Sequence, residues 1–169
     1  MTAVVAFAAV AGGAGYRLWL APDDGLDSAT VAAQVYATRL PDLKGVPQPV
    51  EQWRGRVLVV NYWATWCAPC REEIPGFVRL QARHGARGLQ FVGIAIDQPG
   101  RVTAFAREFG INYPLLIGGM DDLDVLKRAG NRQAVLPYTV IFDRTGQIVS
   151  RQPGGLKEGR LEELVKPLF

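Results

Sequence analysis

VLVVNYWATWCAPCREEIP occupies residues 57–75. Its first six residues, 57–62, form a nearly continuous run of β-branched and bulky side chains, the composition of a strand covered on both faces. A helical stretch follows. Cys67 falls where strand gives way to helix, and Pro69 is tolerated in the first helical turn. A helix N-terminus presents unpaired N–H groups and the positive end of the helix dipole, both of which favour a thiolate over a thiol. That position makes Cys67 the low-pKa nucleophile. Cys70, three residues further along the same helix, reaches a mixed disulfide formed at Cys67 and is the resolving thiol. Two inert core cysteines would have no reason to share this spacing at a strand-to-helix turn.

Outward from this stretch, the elements alternate. Residues 89–96 repeat the apolar run, so the two runs and the helix between them predict a parallel βαβ unit. Upstream, residues 35–40 read as a strand, 41–45 as a turn and 46–50 as a weak partner strand, giving a lead-in hairpin. Downstream, Val102, Phe105, Ala106 and Phe109 share one helical face, predicting a helix over 100–109 that ends at Gly110. A strand over 113–117 and a helix over 121–129 follow. Residues 138–142, the turn Asp143-Arg144-Thr145-Gly146 and residues 147–151 form a hairpin. Leu161, Leu164, Val165 and Leu168 line the last helix. The class is α/β.

The stretch 57–75 resembles the active-site region of the thioredoxin superfamily, and more narrowly its TlpA- and ResA-like branch of membrane-tethered, extracytoplasmic proteins. Similarity runs from about Val35 to the C-terminus. The resemblance implies a thioredoxin fold: a central mixed sheet flanked by helices, with an N-terminal hairpin and a central βα insertion between Cys70 and Pro137. It implies that Glu73 is the acid near the thiols. The spacing agrees, since Glu73 lies one turn after Cys70, and partial burial would raise its pKa and fit it to accept the Cys70 proton. Cytoplasmic thioredoxins place an Asp on the preceding strand where this chain has Asn61, which favours the TlpA and ResA side. Pro137, in VLPYT at 135–139, matches the family's cis-proline; on the residues alone, a trans X-Pro turn is the default. The same resemblance makes Leu136, Pro137 and Tyr138 binders of an extended substrate segment, and Trp66, expected to pack beside the thiols, is counted with them as substrate-binding. Trp63 is expected in the core, and His84, next to Gly85 at a helix end, on the surface.

The implied enzyme is a thiol:disulfide oxidoreductase with Cys67 and Cys70 as its redox-active disulfide. Its expected substrates are disulfides of extracytoplasmic partner proteins, and a membrane electron donor of DsbD type restores the dithiol. Ala68-Pro69 places no cation between the cysteines, unlike the His of strongly oxidising relatives. A reductant is therefore expected, with a potential nearer about −270 mV than the roughly −120 mV of DsbA. The stretch 134–138, AVLPY, lacks the Gly-rich, acidic pattern of dedicated cytochrome c maturation thioredoxins, so a general reductant fits better. One alternative is a copper-handling module in which both thiolates hold a soft ion, disfavoured because Met1 and Met120 are the only methionines. A peroxiredoxin-like peroxidase is disfavoured because Ala64 stands where those enzymes carry Thr or Ser.

Composition excludes other classes. With 49% hydrophobic and 21% charged residues, 169 residues support one folded domain, expected over 31–169. The +3 net charge is scattered: Arg71, Arg79, Arg83 and Arg87 are interrupted by Glu72 and Glu73, so no basic stripe for nucleic acid exists. No cofactor is called for. His84 is the sole histidine, so a four-ligand zinc site would need two chains, and covalent haem would need His where Arg71 stands. Residues 1–16 lack any charged side chain, and Tyr16, Arg17, Leu18, Trp19 and Leu20 follow. Residues 1–20 thus read as an N-terminal membrane anchor, with Arg17 snorkelling, or as a signal segment cleaved near Ala9-Val10-Ala11. Residues 21–30, rich in Pro, Gly and Asp, read as a linker. The resemblance then places the domain on the periplasmic side of the bacterial inner membrane, anchored or, if cleaved, soluble in the periplasm.

Overall fold

A computed structural model describes residues 27–119, 127 and 131–169. At its centre is β3 (Val57–Trp63), every residue of which is buried. It pairs in parallel with β4 (Leu89–Ile96) and antiparallel with β6 (Tyr138–Phe142). β5 (Leu115–Gly118) adds in parallel beyond β4, and β7 (Ile148–Pro153) antiparallel beyond β6. The result is a five-stranded mixed sheet in the order β5-β4-β3-β6-β7. Strand periodicity divides β3 between two cores. Val57, Val59 and Trp63 pack under α2 (Ala68–His84), α3 (Pro99–Glu108) and α4 (Glu158–Val165). Leu58, Val60 and Tyr62 face α1 (Ser28–Ala37) through Val31, Val35 and Tyr36. Trp63 lies in the core as expected, at 1% exposure.

The expected βαβ unit is β3-α2-β4, and among the described residues α3 and β5 lie in the interval before the strand that follows Pro137. The N-terminal hairpin exists but is smaller than expected: β1 (Arg39–Pro41) pairs with β2 (Pro47–Pro49). Residues 35–37 are the last turn of α1, not strand. The reason is an N-cap inside the stretch read as a linker. The Asp27 carboxylate accepts from the N–H groups of Ala29 and Thr30, both at 2.9 Å, so Ser28–Thr30 form the first helical turn. Val31, Ala32, Val35 and Tyr36 then share one buried helical face. At the hairpin tip, Asp42 accepts from Lys44 and Val46 N–H groups, and Asp42 also bridges to Leu116 at the edge of the main sheet.

His84 corrects a second expectation. It is 4% exposed rather than on the surface. Its Nε2 lies 2.9 Å from Glu162 Oε1 on α4, and its ring stacks on Phe169 at 5.2 Å. The C-terminal helix, close to eighty residues away in sequence, covers the end of α2. No helix among the described residues is long and apolar enough to cross a membrane. The segment 1–20, linker residues 21–26 and most of the helix expected over 121–129 lie outside the described residues.

Candidate active site

Strand β3 delivers the chain to the start of α2, where Cys67 is the N-cap residue and Ala68 and Pro69 begin the first turn. Cys67 and Cys70 are joined in a disulfide with their Cα atoms 5.3 Å apart. The Cys67 sulfur accepts from the Cys70 N–H at 3.4 Å, one of the orphan donors of the helix end. Cys70 is fully buried whereas Cys67 keeps 6% exposure, so a partner meets Cys67 first. The loop before the pair is pinned by the residue just after β4: the Thr65 N–H donates to Asp97 Oδ2 at 3.0 Å, and the Thr65 hydroxyl donates to the same oxygen. Trp66 does not pack down beside the thiols. It is 65% exposed, standing over a groove formed with Ile96, Gln98, Arg101 and Gly118.

Glu73 sits one turn below Cys70 and is 5% exposed. Each carboxylate oxygen has one donor: Asn61 Nδ2 gives to Oε1 at 2.9 Å, and the Leu156 N–H gives to Oε2 at 2.8 Å. Burial pushes its pKa up to about 7 from the ordinary 4.5, with the two hydrogen bonds opposing part of the rise. A cleft of about 230 Å³, bordered by Pro69, Glu72, Gly76, Arg79, Lys157 and Glu158, reaches Glu73 from the surface. The Asn61 amide also donates to Thr139 Oγ1 at 3.0 Å, linking Glu73 to β6.

The Leu136-Pro137 peptide is cis. Pro137 is buried, and its carbonyl accepts from the Gly154 N–H at 2.9 Å. Ahead of it, buried Asn131 clamps Val135 like a neighbouring strand, donating to its carbonyl at 2.8 Å and accepting from its N–H at 3.1 Å. Leu136 is half-buried and Val135 exposed. Tyr138 departs from the expected set: it is 1% exposed and packs with Val140 and Phe142 on the α1 face, because alternate residues of β6 point that way. Its side chain therefore takes no part in the surface around the disulfide.

The Redoxin family model matches residues 28–166. The chain belongs to the Redoxin family. This Redoxin is 30% identical over 132 residues to the thiol-disulfide oxidoreductase ResA of Halalkalibacterium halodurans, covering 76% of this chain and 73% of that protein. With ResA of Bacillus subtilis it shares 24% identity over 157 residues, 90% of this chain and 86% of that one. A crystal structure of a thioredoxin-family thiol:disulfide interchange protein from Chlorobium tepidum superposes with a TM-score of 0.69 at 27% identity, covering 78% of this chain and 92% of that chain. A secreted disulfide oxidoreductase of Mycobacterium tuberculosis gives a TM-score of 0.68 at 22% identity, over 80% and 98%, a likeness of fold. The Redoxin is thus a ResA-like thiol:disulfide oxidoreductase of thioredoxin fold. Asp97, Asn131, Thr139 and Leu156 are site residues that the motif alone does not announce. Asn61 was visible as a polar residue in an apolar strand, and Thr139 repeats that anomaly at the position facing it across the β3–β6 pair.

Proposed function

We propose that the protein reduces disulfides of extracytoplasmic partner proteins, with Cys67 as nucleophile, Cys70 as resolving thiol and Glu73 as the proton acceptor for Cys70. The Cys67 thiolate attacks one sulfur of the partner's disulfide. A Cys67–partner bond forms, and the other partner sulfur leaves as a thiolate that takes a proton from water. Glu73 accepts the Cys70 proton, the Cys70 thiolate attacks the Cys67 sulfur, and the second partner sulfur departs. The partner gains two electrons and the enzyme is left as the Cys67–Cys70 disulfide. The carrying observation is Glu73 itself: a buried carboxyl one turn from Cys70 whose pKa of about 7 suits proton transfer at neutral pH. The cleft beside it gives the proton a way out to solvent.

The reducing direction is supported by the absence of any cation in Ala68-Pro69 and by the negative charge that Glu73 brings beside the pair above neutrality, so the Cys67 thiolate has the helix end to favour it but not the added cation of strongly oxidising relatives. Exposed Trp66 and Val135, half-buried Leu136 and cis Pro137 supply a contact surface for an extended partner segment; Tyr138 contributes by holding β6 in place. The apolar segment 1–20 supports tethering at the periplasmic face of the inner membrane, with a membrane donor of DsbD type returning two electrons. A Cys70→Ser variant should accumulate mixed disulfides through Cys67, while Cys67→Ser accumulates none. The potential of the folded domain should lie nearer about −270 mV than about −120 mV. A strongly oxidising potential, or no trapped partner, overturns the reading.

A further inference from the structure

We propose that Asn61 and Thr139 are positioning residues for Glu73, forming a reversible hydrogen-bond switch that stays satisfied whether Glu73 is a carboxylate or a carboxylic acid. The inference rests on the reading of Glu73 as the proton acceptor. The two oxygens of Glu73 meet different kinds of donor. Oε2 faces the Leu156 backbone N–H at 2.8 Å, which can only donate and cannot turn. A proton arriving on the carboxyl therefore resides on Oε1. That oxygen faces Asn61 Nδ2 at 2.9 Å, and a donor opposite a newly formed O–H is a lost hydrogen bond in a site where Asn61 is 2% and Thr139 0% exposed.

A primary amide resolves the conflict. A half-turn about its Cβ–Cγ bond exchanges Oδ1 for Nδ2, so the position that donated to the carboxylate accepts from the acid. Such a turn is costly if the amide has a second, fixed partner. Here the second partner is the Thr139 hydroxyl, 3.0 Å from Nδ2, which accepts as readily as it donates. With Glu73 ionised, Nδ2 gives one hydrogen to Glu73 and one to Thr139. With Glu73 protonated, Oδ1 receives one from each. A leucine at 61 would favour the acid, an aspartate would add a competing charge, and a backbone donor at both oxygens would favour the carboxylate alone. The strand residues thus hold the carboxyl ready for both halves of the proton transfer.

Other groups around Glu73 bring no comparable adaptability. Glu72 and Arg79 on α2, and Lys157 and Glu158 ahead of and at the start of α4, line the cleft. Cys70 is in the disulfide, and Tyr113, ahead of β5, is a buried phenol held un-ionised by burial and by the charge of Glu73. Asn61 and Thr139 add polarity without charge from β3 and β6.

The test is a 13C and 15N NMR titration of the oxidised, folded protein, with the Glu73 carboxyl identified by its loss in Glu73→Gln. In the wild type the Asn61 side-chain amide resonances should move with the Glu73 midpoint. Asn61→Leu should raise that midpoint by about one to two pH units, the worth of a hydrogen bond to a charged group. Thr139→Val should raise it by less and uncouple the Asn61 amide from the titration, and Thr139→Ser should restore both. A purely structural role would move none of these readouts in a variant that folds. An Asn61 amide indifferent to Glu73 ionisation in the wild type, or a Glu73 midpoint unmoved in Thr139→Val, overturns the switch. Failure of the underlying reading looks different: Glu73→Gln would then reduce insulin with the wild-type pH profile, whatever the titrations show.

Discussion

Replacing Glu73 by glutamine should make the oxidised protein more stable, and only above a definite pH. Unfolded, the carboxyl ionises near 4.5; folded, burial holds it protonated until about 7. Below 4.5 both states of the wild type carry the proton and the buried carboxyl costs nothing in charge. As pH rises from 4.5 towards 7, the unfolded chain releases its proton while the folded chain keeps it, so stability falls. Above 7 the folded protein holds a buried carboxylate, and the accumulated loss of two and a half pKa units amounts to about 3 kcal/mol. Glutamine keeps the shape and the acceptor for the Leu156 N–H but carries no charge, so its stability lacks this dependence. The difference between variant and wild type should be small in acid, grow across that window and level off in mild alkali at a gain of about 1–3 kcal/mol, allowing for imperfect satisfaction of the new amide. Urea unfolding of both proteins with the disulfide intact, repeated across pH, measures it. A difference that stays constant with pH would refute the claim that burial sets the ionisation of Glu73. The gain in stability should accompany a loss of resolving rate, the exchange expected where a strained group serves function.

Two further substitutions test how the site is held. His84→Ala removes the contact to Glu162 and the stack on Phe169 from a buried position, and should lower the urea midpoint by the equivalent of about 2 kcal/mol while leaving the potential of the disulfide in place. Gly93→Ala puts a Cβ 2.6 Å from Leu115 Cδ2 and 2.9 Å from Trp63 Nε1; the repacking should cost about 1–3 kcal/mol and show as altered Trp63 fluorescence.

The centre of this protein was legible because its signals are local. Residues 57–62 and 89–96 are apolar throughout, and few structures bury a strand on both faces except a covered sheet. Cys67, Cys70 and Glu73 share one helix, so spacing alone places them together. α1 is hidden in the sequence because Val35 and Tyr36 have strand propensity, while the cap that turns them into helix, Asp27, sits among Pro, Gly and Asp residues that resemble a linker. The rest of the site depends on long-range partners. Thr139 reaches Asn61 across 78 positions, Leu156 reaches Glu73 across 83, and the latter uses a backbone N–H that no side chain advertises. His84 looked exposed for the same reason: a helix end is open or covered according to what folds over it later.

The hairpin bridge from Asp42 to Leu116 bears on how the molecule behaves among its own copies. An edge strand with free N–H and C=O groups invites another strand to pair with it. On the β5 side, the hairpin occupies part of that edge. On the β7 side, Pro153 offers no N–H, and Arg151 places a charge there, its guanidinium donating to Ser28 Oγ at 3.0 Å. Lateral growth of the sheet is thereby discouraged at both flanks. Self-association into ladders gains little from flanks blocked in this way, and the molecule is left free to meet other proteins one at a time.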